Sequence, residues 1–62
     1  MKGDYIMFDW REYEARLETM TTEEIKDASF MLWMKDHWDR NDWTRHGCIE
    51  RVLERRRKAE QQ

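Results

Sequence analysis

The stretch TTEEIKDASFMLWMKDHWDR, residues 21–40, decides how this chain folds. It opens with a complete helix-start signature. Thr21 at the N-cap and Glu24 three residues on form a capping box, and Met20 and Ile25 flank it as a hydrophobic staple. A helix is predicted from about Thr22 to about Arg40. Along it, Ile25, Ala28 and Leu32 line one side, whereas Phe30, Trp33, Met34 and His37 cover a different arc that Met31 and Trp38 extend. The middle of this helix is thus apolar nearly all round, which requires either surrounding elements or an interface.

Upstream, the same grammar recurs. Asp9 fits an N-cap with Glu12 completing a box, and Phe8 and Tyr13 stand at staple positions. Trp10, Tyr13, Leu17 and Met20 then repeat at spacings of three and four, which makes one apolar face of a helix over about 9–20. Residues 1–8 read as an irregular arm in which Tyr5, Ile6 and Phe8 are available for packing. Downstream, Asn41 or Asp42 offers a cap for a helix over about 43–59. Its stripe is narrow: His46, Ile49, Val52 and Leu53, with Ala59 farther along. Because neither Pro nor Gly stands at Arg40-Asn41-Asp42, fusion of the second and third helices into one rod is the competing expectation. The expected fold is all-α, a single domain over 1–62: a short leading helix plus a helical hairpin, completed by homodimerisation.

Size supplies the argument for a second copy. A chain of 62 residues buries only about 60% of its unfolded surface, and small domains compensate with disulfides, metals or self-association. The single cysteine, Cys48, excludes an internal disulfide and suits a reducing compartment. Charged residues make up 42% of the chain, a level compatible with disorder, but four Trp, two Tyr, two Phe and five Met argue for a packed core. The start, Met1-Lys2-Gly3-Asp4, lacks the apolar stretch of a signal peptide, and Phe30–Met34 is far too short to span a membrane. A cytoplasmic protein without membrane contact is expected.

Charge is distributed unevenly. Residues 1–44 hold eleven acids and six bases, a balance of −5, whereas residues 45–62 hold six bases and three acids, a balance of +3. The basic tail raises an alternative, nucleic-acid binding, with Arg51, Arg55, Arg56, Arg57 and Lys58 as phosphate contacts. Glu50, Glu54 and Glu60 interleave with those bases, and the acidic remainder would repel a duplex.

Catalysis and metal binding find little support. Asp36, His37, Asp39, Asp42, His46 and Cys48 are close in sequence. On one helix, however, His46 and Cys48 differ by about 200° and cannot converge on one ion or act as base and nucleophile. Neither a phosphate loop nor a nucleophile elbow is present. The expectation is a non-enzymatic protein with no cofactor and no metal. It is expected to bind another protein, as an adaptor or inhibitor, or itself as a purely structural subunit. The expected contact residues are Phe30, Met31, Trp33, Met34, His37 and Trp38, since Trp and Met are enriched at interface cores. In style, such a small chain resembles the regulators encoded by bacteriophages and other mobile elements.

Overall fold

A computed structural model describes residues 8–60, and among them it holds three α-helices and no strand. These are α1 (Trp10–Glu18), α2 (Thr22–Trp33) and α3 (Arg40–Glu60). The expected all-α class holds. The arm expected over 1–8 lies, apart from Phe8, outside the described residues.

Both early helix starts form from the residues that signalled them. The Asp9 carboxylate accepts from the backbone N–H groups of Arg11 and Glu12, and the Phe8 and Tyr13 rings meet at 5.5 Å. At α2 the box is reciprocal. The Glu24 N–H donates to Thr21 Oγ1 at 3.1 Å, and the Thr21 N–H donates to Glu24 Oε1 at 2.9 Å. Each pair satisfies backbone donors that a helix start otherwise leaves orphaned.

The boundary between α2 and α3 differs from expectation. Helix α2 stops at Trp33 instead of continuing to Arg40, and α3 begins at Arg40 instead of Trp43. The two are separate helices, not one rod. Neither Asn41 nor Asp42 is the cap; Asp39 is. The Asp42 N–H donates to Asp39 Oδ1 at 2.8 Å, and the Asp39 N–H donates to Asp42 Oδ2 at 3.1 Å. This is a capping box with aspartate in the position where glutamate is usual. The other end of the break is held by Trp38, whose indole Nε1 donates to the Leu32 carbonyl at 2.8 Å. That carbonyl is among those a helix C-terminus leaves without an intrahelical partner.

Both shorter helices pack along α3. Helix α1 runs in the same direction as α3: the Cys48 thiol lies 3.6 Å from the Trp10 carbonyl oxygen, Glu14 meets Arg51 and Arg55, and Glu18 meets Arg55. Helix α2 runs the opposite way, with Thr22 beside Arg56 and Trp33 beside His46. The core between them consists of Leu17, Ile25, Leu32, Cys48, Ile49 and Val52, flanked by Tyr13, Met20, Ala28, Trp38 and Leu53. Each helix contributes the stripe that its periodicity marks out. Cys48 is fully buried, and burial raises its thiol pKa above the ordinary value.

Candidate functional site: an aromatic and methionine surface

Among the described residues, no element covers the side of α2 turned away from the core. At about 100° per residue, Phe30, Met31, Trp33 and Met34 fall within an arc of about 160°, and Ile25, Ala28 and Leu32 lie opposite its centre. The structure follows this geometry. Ile25 and Leu32 are buried, whereas Phe30, Met31, Trp33 and Met34 remain 62%, 67%, 61% and 65% exposed. Helix α3 contributes a further large apolar side chain, Trp43, at 60% exposure.

Trp33, Trp38, Trp43 and His46 form one continuous cluster at the α2–α3 junction. The Trp33 and Trp38 ring centroids lie 4.8 Å apart with planes inclined by 46°. Trp38 and Trp43 meet at 4.6 Å and 73°, an edge-to-face contact. His46 touches all three, at 5.5, 5.4 and 6.3 Å. Trp38 is half-buried and anchored by its bond to the Leu32 carbonyl. Its neighbours Trp33 and Trp43 project from either side of it. The His46 Nδ1 atom is buried without a hydrogen-bond partner among the described residues.

The sequence-predicted contact residues therefore divide into three groups. Phe30, Met31, Trp33 and Met34 share the exposed face. His37 is exposed on the connecting segment, at the rim. Trp38 acts from behind, fixing the α2 end and supporting the neighbouring rings. Trp43 joins the surface although its place at a helix start drew attention away from it. The signal available was Trp33-x4-Trp38-x4-Trp43, a spacing that no single helix puts on one face and that only a break between the helices brings together.

Electrostatics fix the connecting segment beneath this surface. The Asp42 side chain is almost wholly buried. It accepts from Lys35 Nζ at 2.7 Å and Arg45 Nη1 at 2.9 Å, besides the Asp39 N–H. The Lys35 bond first, then the backbone bond from Asp39, hold the Asp42 pKa below the usual carboxylate value.

The basic residues of the tail are largely committed inside the chain. Arg51 bonds Glu14 through two nitrogens, at 3.2 and 2.9 Å, and Arg55 bridges Glu14 and Glu18. The bond from Arg51 leads the causes that lower the Glu14 pKa. Arg56 donates to the carbonyls of Leu17, Glu18 and Met20, at 3.4, 3.3 and 2.7 Å, and to Thr22 Oγ1 at 3.0 Å. A cation there complements the α1 C-terminus and ties it to the start of α2. Arg57 pairs with Glu54, and Lys58 is exposed.

Among the described residues, no group of three His, Cys, Asp or Glu side chains is placed to hold a metal ion, and no helix is long and apolar enough to cross a membrane. Comparison with protein families, with curated proteins and with solved structures finds no match to this chain.

Proposed function

We propose that this chain is a non-enzymatic protein-binding module, of adaptor or inhibitor type, that docks on a larger protein through the outer face of α2 and Trp43. The observation that carries this reading is the contiguous exposure of Phe30, Met31, Trp33, Met34 and Trp43. At roughly 60% exposure of side chains worth about 150–250 Å² each, the three aromatics alone leave about 270–450 Å² open. With two methionines added, the patch reaches the upper end of what a monomer ordinarily displays, about 300–600 Å². Methionine supplies adaptable packing, and Trp the hot-spot residue type.

A second copy is the competing occupant, favoured by the small core. The nucleic-acid reading has less support, because Arg51, Arg55, Arg56 and Arg57 already donate to groups of the chain itself.

Solution mass, measured by light scattering across a concentration series, separates the two occupants. A monomer whose retarded elution is corrected by Phe30→Gln and Met31→Gln fits a face kept for another protein. A stable dimer that those changes dissociate assigns the face to self-association. A monomer that elutes normally, with capture of a partner from lysate unaffected by either change, refutes the docking face.

A further inference from the structure

Helix α2 divides along its length into a charged half and an apolar half. Glu23, Glu24, Lys26 and Asp27 all precede Ala28, and from Ala28 to Trp33 the helix carries no charge. At about 100° per residue, Glu23, Asp27, Phe30 and Met34 fall within about 60° of one another. All four are exposed. One strip of the outer face therefore runs from two carboxylates to the apolar ledge of Phe30, Met31 and Met34, over about 16 Å. Lys26 and Glu24 lie off the strip, one on either side.

The carboxylates of the strip are not used by the chain itself. Glu14 and Glu18 are taken by Arg51 and Arg55, Asp42 by Lys35 and Arg45, and Glu54 by Arg57. Among the described residues, neither Glu23 nor Asp27 enters an ion pair. A place in the first turn accounts for Glu23, whose charge complements the helix N-terminus, and Glu24 closes the capping box. Neither reason covers Asp27. It stands beyond the first turn, where the macrodipole has faded, and Asp is among the weaker helix formers. Lys26 is the only base of α2, against three acids. Past the ledge, Lys35 is already drawn to Asp42, and Asp36 stands exposed beside it.

We propose that the element docked on α2 is a basic amphipathic helix of another protein. Its apolar side chains lie on Phe30, Met31 and Met34, and its Lys or Arg side chains lie over Asp27 and Glu23. The proposal rests on the docking reading above and specifies the partner's chemistry. Methionines pack adaptably against such a helix, and the unpaired carboxylates steer its cations and fix which way round it lies. Other occupants fit the strip less well. A nucleic acid or an anionic lipid surface brings negative charge to two carboxylates. A second copy laid parallel sets like charges together, and laid antiparallel it sets Glu23 and Asp27 over the apolar ledge.

The test titrates the intact chain into a labelled helical peptide of Leu and Lys, about five turns long with its leucines on one face, followed by fluorescence anisotropy. Its control is the same peptide with Glu in place of Lys. Saturable binding of the Lys peptide is expected, with the Glu peptide about tenfold weaker or more. Glu23→Gln combined with Asp27→Asn should weaken the Lys peptide about three- to tenfold at low salt. Phe30→Gln should weaken it about tenfold, and Glu12→Gln, exposed on α1, should leave it within about twofold. Circular dichroism checks that each variant keeps its helicity. Equal affinity for the two peptides, or unchanged affinity in the paired variant, overturns the proposal; if Phe30→Gln still weakens binding, the docking face itself stands. Affinity that falls with the charges but ignores Phe30→Gln refutes the docking face as well. A stable dimer that excludes the peptide assigns the strip to a second copy, and binding of phosphatidylserine vesicles instead of the peptide assigns it to lipid. Either result overturns the proposal.

Discussion

The seam between α1 and α3 and the outer end of α2 treat similar residue types in opposite ways. Along the seam, the charged groups that face the neighbouring helix are paired within the chain. Trp10 lies between Arg11 and Arg51, Glu14 accepts from Arg51 and Arg55, and Arg56 closes the end of α1. At the outer end of α2, aromatic and methionine side chains of comparable size stand open to solvent. Both regions carry large aromatic side chains, Trp10 and Tyr13 along the seam and Phe30 and Trp33 at the end of α2. What separates them is whether the chain supplies its own partners, and the region left without them is the one that the docking reading proposed above assigns to another protein.

That contrast is broken most severely by truncation beneath both regions. Ile49 is fully buried between the helices, so Ile49→Ala should cost about 2–5 kcal/mol. For a domain this small such a loss approaches the whole stability. Urea unfolding should show the variant largely unfolded at 25 °C.

Next comes the Asp42 hub. Folding lowers the pKa of Asp42 and of Glu14. The folded state therefore binds fewer protons than the unfolded chain as these groups titrate. The stability they contribute is fully present above the unfolded carboxylate value of about 4 and is lost as pH falls through the lower folded values. Melting temperature followed from pH 7 to pH 2 should drop across that window. Asp42→Asn should melt lower at pH 7 and show a shallower acid decline, because one of the two linked groups is gone.

Arg56→Ala sharpens the seam side of the comparison. It removes the donor to three carbonyls at the end of α1, and a loss of about 1–2 kcal/mol is expected in urea unfolding. The smallest effect on stability belongs to the open face: Phe30→Gln and Met31→Gln should change it by no more than about 0.5 kcal/mol. Were either to unfold the chain, the face would be part of the core, and the contrast between the regions would collapse.

The helix starts at Asp9 and Thr21, the core stripes and the all-α class were legible in the sequence, because caps and periodicity are local properties. The end of α2 was not. Without Pro or Gly as a marker, the break depends on Trp38 reaching back to the Leu32 carbonyl and on an aspartate in the box position usually held by glutamate. Asp39-x-x-Asp42 was the available clue. Phe30, Met31, Trp33 and Met34 could be singled out as surplus to one helix's core-facing arc. Trp43 could not, since its place in the cluster follows from the break itself. The tail arginines look alike in sequence, yet Arg56 caps a helix and Arg57 pairs along its own; only the parallel docking of α1 distinguishes them.

Cys48 carries one more consequence. It is the chain's single thiol, lying 3.6 Å from the Trp10 carbonyl oxygen of α1, and its thiolate is disfavoured by burial. A thiol reagent can reach it only when the packing over it opens, so the rate of alkylation times that opening. The buried cysteine is a built-in clock for exposure of the core, readable in a mixture and without any label added to the chain.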